Sequence, residues 1–372
     1  MKSKALNLLL LVLLPLTSSL NAQELTENEQ AQLDVALQEV FPLAQKTQLS
    51  LLTGGFSGAS LYKLETFDDK ENLLGTYVLR TMPEESILQG ECFLEASLIA
   101  SDLGISPKIH YVAQDKSLLI MDFIAGETLH PKRFRDPEIL KTVVSHLHKL
   151  HQGPLLSDPG MQMSLINHTL LDSLNDHGHL TQEVYESIQT TILKIQAAFD
   201  VNPHKVSTHL DLHKENILEK DGEVFFIDWE TAGLDDPFAD LARLAILMYC
   251  NPQEKEQLLS LYLEGPIAEV HRAKLRLMEA AVSLEGALWA HFQAAQITPA
   301  ANDSIQPSTL EALLEDSNIP SGNEFLDAFY NQDGKLETAQ EFEALGNSFL
   351  REFLLYTRSE AFAQDLQAVS LE

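Results

Sequence analysis

Hydrophobic and polar positions change period twice along the chain, and the changes divide it. Residues 1–22 begin with Lys2 and Lys4, run through an apolar stretch from Ala5 to Leu16, and end on small and polar residues up to Ala22. This is the layout of a secretory signal segment; the run is short for an anchor and is interrupted by Asn7 and Pro15. It predicts export, periplasmic or secreted, with no membrane span left after cleavage; a segment that does not work as a signal would leave the chain cytoplasmic. Thr26 and Glu29 have capping-box spacing ahead of apolar Leu33, Ala36, Leu37, Val40 and Phe41, the pattern of an amphipathic helix. Strand patterns follow at Gln48–Thr53, up to about Thr66, at Leu73–Met82, Lys108–Val112 and Ser117–Phe123, with a helical stretch at Glu84–Leu103. Ala125-Gly126 reads as a hinge. Helical periodicity then governs Pro137–His151, Thr181–Phe199, Phe238–Tyr249, Glu254–Leu263 and Ile267–Ala295. Residues 298–323, rich in Pro, Ser, Asn and Asp, read as a loosely ordered connection with a helical run at Leu310–Leu314. Phe325–Ala368 is helical again, broken around Asn331–Gly334. The pattern predicts an α+β chain: a signal segment (1–22), a small antiparallel-sheet lobe (23–125), a larger helical lobe (126–297), and a connection with C-terminal helices (298–372).

One stretch breaks the helical lobe's pattern. Val206–Leu241 reads as strand, polar turn, short strand, Asp221-Gly222 hairpin, strand, and a loop opening a helix. His209, Asp211, Asn216, Asp228 and Asp240 stand at its joints. Phosphoryl transfer from ATP needs a carboxylate beside the attacking hydroxyl and oxygen ligands for Mg²⁺, which Asp211, Asn216 and Asp228 can supply. In the small lobe, Gly54, Gly55, Ser57 and Gly58 lie in a turn between two strands, where backbone N–H groups can approach phosphates. Arg80 follows on the third strand, within reach of the α- and β-phosphates, with Glu91 and Glu95 on one face of the next helix as its candidate ion-pair partners. Glu91 is the preferred partner.

Composition narrows the partners. With 25 basic and 55 acidic residues the formal charge is -30, which excludes nucleic acid as a natural ligand and suits a cationic small molecule or simple solubility. Two cysteines, Cys92 and Cys250, are too few for a disulfide framework or a structural zinc site.

The run His209-x-Asp211-Leu212-His213-x-x-Asn216, followed by Ile227-Asp228-Trp229-Glu230, Asp236-Pro237 and Asp240-Leu241-Ala242, resembles the choline kinase and aminoglycoside phosphotransferase superfamily, nearest its bacterial choline/ethanolamine kinase branch. Gly54-Gly55-x-Ser57-Gly58, Val78-Leu79-Arg80, Gly104–Ile109 and Leu147-His148-x-Leu150-His151 extend the resemblance over roughly residues 48–295. It implies a bilobal protein kinase-like fold that binds ATP under the Gly-rich loop. It further implies Asp211 as catalytic base, Asn216 and Asp228 as Mg²⁺ ligands, and Arg80 at the ATP phosphates. His209 and Asp240 would support the catalytic loop, and Met121 to Phe123 would lie at the adenine hinge. Leu210 departs from the small or polar residue usual there, a change expected to alter substrate fit. Trp229, Glu230, Trp289 and Phe292 are candidates for a quaternary ammonium group, with core packing the competing role for Trp289 and Phe292. Choline or a similar amino alcohol is the expected substrate. An aminoglycoside, thiamine, or an exported and inactive kinase-fold binding protein are the alternatives.

Overall fold

The computed structural model describes residues 25–52, 60–82, 91–298, 305–330 and 336–372. Residues 1–22, expected as a signal segment, and Gly54, Gly55, Ser57 and Gly58 therefore lie outside the described residues, as does the side chain of Glu91. Helix α1 (Glu27–Glu39) starts at the anticipated box: the Thr26 hydroxyl accepts from the Glu29 N–H at 3.2 Å, and the Thr26 N–H donates to the Glu29 carboxylate at 2.7 Å. It buries Leu33 and Ala36 on a five-stranded antiparallel sheet. In spatial order the sheet is β1 (Lys46–Leu51), β2 (Leu61–Phe67), β3 (Leu73–Thr81), β5 (Leu118–Asp122) and β4 (Ile109–Val112). Leu118 and Ile120 join Leu33 on one side; Leu119, pointing the other way, joins Phe93 and Ala96 of α2 (Glu91–Asp102) in the main core. Each such leucine contributes roughly 2 kcal/mol when fully buried.

The chain then crosses into a mainly helical lobe through β6 (Glu127–Thr128), α3 (Pro131–Phe134) and α4 (Pro137–His151). Next come α5 (Met163–Asp176), α6 (Gln182–Asp200) and the polar stretch: β7 (Val206–Thr208), β8 (Ile217–Lys220), β9 (Glu223–Phe226) and β10 (Gly233–Asp235). Asp221 and Gly222 join β8 to β9 with φ of 54° and 88°, the double positive turn that an Asp-Gly pair favours. Helices α7 (Phe238–Leu247), α8 (Pro252–Leu263), α9 (Glu269–Ile297), α10 (Pro307–Glu315), α11 (Gly322–Tyr330), α12 (Ala339–Thr357) and α13 (Glu360–Ser370) complete the lobe. α9 is its axis, packed against α5, α7, α12 and α13. This is the bilobal α+β architecture expected.

Two elements differ from expectation. The pattern gave no helix at α5, whose N-cap residue Gln162 makes no side-chain cap bond; the carboxylate of Asp235, 72 positions away, accepts from Met163 N–H at 2.7 Å instead. Helix α10 extends past the predicted run and packs as core, with Leu310 and Leu313 buried beside α12, so this part of the connection is ordered by burial. Among the described residues no helix is long and apolar enough to cross a membrane.

Candidate active site

β7 delivers the chain to a left-handed turn at Leu210, φ 61°, a conformation that costs a non-glycine residue about 1 kcal/mol. Asp240, at the start of α7 and fully buried, holds it there. Its Oδ1 accepts from Leu210 N–H at 2.8 Å, and its Oδ2 accepts from His209 N–H at 2.9 Å and His151 Nε2 at 3.1 Å. Leu210 itself is fully buried in the main core, so its side chain cannot touch substrate, contrary to expectation. His209 is buried too: Nε2 donates to Ile227 C=O at 2.9 Å, and Nδ1 accepts from Asp211 N–H at 3.2 Å. Those partners assign one tautomer of a neutral ring, and burial holds its pKa below the usual histidine value. His209 thus shapes the loop.

The turn leaves Asp211 at the cleft with its two oxygens unequal. Oδ2 accepts from Asn216 Nδ2 at 2.9 Å and lies 3.5 Å from His213 Nε2. Oδ1 accepts no hydrogen bond among the described residues and lies 3.6 Å from Arg243 Nη1. Burial works against ionisation of Asp211, but His213 and Arg243 outweigh it and hold the carboxyl below its usual range. His213 sits between Asp211 and Glu215, the latter at 2.7 Å; burial opposes its protonation, yet the two carboxylates push its pKa up to about 10.

Asp228, in a left-handed turn of its own (φ 65°), presents a buried Oδ1 with no hydrogen-bond partner among the described residues. Burial foremost, opposed by Arg80 but aided by Asp211, raises its pKa. A buried carboxylate oxygen without a donor, beside a second carboxylate and an amide, is short of positive charge, and this donor set fits a hard divalent cation such as Mg²⁺. Asn216 commits its Nδ2 to Asp211, which leaves its oxygen as the ligating atom.

Arg80 is buried with its Cζ 4.4 Å from the Phe93 ring centroid; it pairs with Glu230 and lies 3.9 Å from Asp228. Of the two expected ion-pair partners, the Glu91 side chain lies outside the described residues and Glu95 is engaged elsewhere. Glu95 instead accepts from the Ser157 N–H at 3.0 Å and its hydroxyl at 2.7 Å, and Glu230, anticipated at the substrate, is the acid on Arg80. Arg80 Nε has no hydrogen-bond partner among the described residues, so this buried cation retains an unused donor. Met121 pairs with Val78 in β5, and Phe123 N–H donates to Thr76 C=O at 3.3 Å where the chain leaves the sheet.

The aromatic candidates pack against other side chains. Trp229 is 2% exposed, lies 4.4 Å from the His209 ring centroid, and donates Nε1–H to Ser106 Oγ at 3.3 Å. Trp289 packs edge-on against Phe342 of α12, and Phe292 is buried. In their place stand two residues the pattern did not single out. Arg243 of α7 reaches from Asp211 to the carboxylate of Glu285 on α9. Glu285 is the only formally charged residue between Ala280 and Ala294, the one sequence signal that could have marked it.

A family model described as the phosphotransferase enzyme family matches residues 52–277. Protein LicA of Haemophilus influenzae is 25% identical over 145 residues, 37% of this chain and 52% of that protein, so the match spans about half the length of that relative. A choline/ethanolamine kinase family protein from Mesorhizobium loti superposes with a TM-score of 0.61 at 18% identity, covering 93% of this chain and 99% of that one. The choline kinase LicA from Streptococcus pneumoniae gives a TM-score of 0.52 at 20% identity, covering 72% of this chain and 92% of that one. These superpositions show the fold.

Proposed function

The chain belongs to the phosphotransferase enzyme family, and from that premise we propose that it transfers the γ-phosphoryl group of ATP to the hydroxyl of choline or a similar amino alcohol. The observation that carries the reading is the pairing, across one loop, of a carboxylate oxygen free to accept a hydroxyl proton (Asp211 Oδ1) with a buried carboxylate oxygen that lacks a donor (Asp228 Oδ1). Asn216 Nδ2 holds Asp211 Oδ2, which fixes the direction in which Oδ1 meets the acceptor. Because Asp211 is held strongly ionised, it orients the hydroxyl and takes its proton late, as the bond to phosphorus forms. Arg80 binds the phosphate chain once Glu230 gives way to it. Asn216 and Asp228 would hold Mg²⁺, which when bound neutralises phosphate charge. The acidic surface, with its formal charge of -30, draws a cationic acceptor toward the protein.

Export remains part of the proposal, supported by residues 1–22, and the N-terminal mass of the protein recovered from its host tests it; an intact Met1 in a cytosolic fraction refutes it. The activity is tested with protein from Gln23 onward, by following ATP consumption with choline and magnesium. Asp211→Asn should abolish turnover while leaving nucleotide binding in place. Failure to bind nucleotide at millimolar ATP would overturn the reading.

A further inference from the structure

Arg243, buried, and Glu285, half-buried, form a charge pair beside Asp211. Arg243 is 3% exposed; its Nη1 lies 3.6 Å from Asp211 Oδ1, and its Nη2 donates to Glu285 Oε2 at 2.5 Å. Withdrawing a guanidinium from water is costly unless it is paired, and Glu285 is its close partner. Both come from the helical lobe, one from α7 and the other from α9.

Their effect on an incoming acceptor follows from summing charge. His213 and Glu215 cancel at 2.7 Å. Within the Asp211–Arg243–Glu285 set, two carboxylates and one guanidinium leave one negative charge, to which Asp228, beside Asp211, adds. Without Glu285 the arginine would cancel Asp211, and the pull on an entering cation would weaken. Resting on the kinase reading above, we propose that Glu285 is the specificity-determining residue for acceptor charge: by neutralising Arg243 it leaves Asp211 free to attract a cationic amino alcohol in preference to a neutral one. This places cation selection in a carboxylate–guanidinium pair, since Trp229 and Trp289 are packed elsewhere. The device works only while Glu285 is ionised; burial raises its pKa, and the Arg243 guanidinium at contact distance opposes that rise.

The test compares choline with 3,3-dimethylbutan-1-ol, which replaces the trimethylammonium group by a neutral tert-butyl group of the same shape. Binding to the full chain is measured by calorimetry without ATP, so that the result does not depend on turnover. Wild type should favour choline, and Glu285→Gln should reduce the choline-to-alcohol affinity ratio about ten-fold through loss of choline affinity alone. Glu285→Gln combined with Arg243→Met removes both charges and should restore most of the ratio, which no purely structural role for Glu285 would do. Retained binding of the neutral alcohol reports that each variant is folded at the site. The proposal is overturned if wild type does not distinguish the two ligands, if Glu285→Gln leaves the ratio unchanged, or if the double variant is no better than the single. ATP turnover is scored separately: selective binding without turnover refutes the kinase reading alone, and turnover without charge selection refutes this inference alone.

Discussion

Asp240→Asn isolates the clamp that positions the catalytic loop, because it keeps the shape and removes the charge. The carboxylate accepts from Leu210 N–H at 2.8 Å, His209 N–H at 2.9 Å and His151 Nε2 at 3.1 Å. An amide oxygen in the Oδ2 place keeps the last two and turns an NH₂ group toward Leu210 N–H. Leaving that buried donor unpaired costs about 1–3 kcal/mol, and loss of charge assistance in the other two removes about 1 kcal/mol more. Leu210 must still be held at φ 61°, so the expected total is about 3 kcal/mol, a large share of a typical 5–15 kcal/mol stability. The sign of the pH dependence follows. Burial opposes ionisation of Asp240, but the donors from His151 and His209 outweigh it and depress its folded pKa. The advantage of aspartate is therefore complete above the ordinary carboxylate range, about pH 4, and is lost as pH falls through the depressed folded value. Urea unfolding of both proteins at several pH values measures it. A difference below about 1 kcal/mol at pH 7 would refute the clamp.

Other outcomes follow from single contacts. Asp235→Ala removes the distant cap of α5 and an ion pair with Lys205 at 3.1 Å; it should cost about 2 kcal/mol in urea unfolding and speed amide exchange in the first turn of α5. Glu352 carries the opposite pH sign, because burial, opposed by the Gly322 N–H and Lys255, raises its pKa to about 7. The folded state holds its proton longer than the unfolded one, so stability falls as pH rises from about 4.5 to 7. Glu352→Gln should therefore stabilise the protein by about 3 kcal/mol at pH 8 and by almost nothing at pH 4, read from thermal unfolding at both. Glu230→Gln removes the carboxylate that competes with phosphate for Arg80 and should tighten ATP binding by about 0.5–1 kcal/mol in calorimetry; weaker binding would mean that Glu230 holds Arg80 in its working orientation.

The gathering of Asp211, Asn216 and Asp228 was legible in the sequence because it is local. Asp211, Asn216 and Asp228 share one loop-and-hairpin unit, so turn chemistry and spacing bring them together before any tertiary contact is known. Arg80 was legible as a strand residue, but Glu230 was not legible as its partner: helical spacing pointed to the next helix, whereas the cleft brings in Glu230 from 150 positions away. Trp229 follows the residue at φ 65° and is buried beside His209, so adjacency in sequence to a site residue did not mean adjacency to substrate. Helix α5 was invisible because its cap comes from β10. The same distinction separates reaction from substrate. Asp211, Asn216 and Asp228 come from one contiguous stretch and can be read from it; the Arg243–Glu285 pair joins α7 to α9 across 42 positions and exists only once the helices have packed. A lone acid in an apolar helix run carries no direction of its own, and its meaning here comes from the arginine it meets.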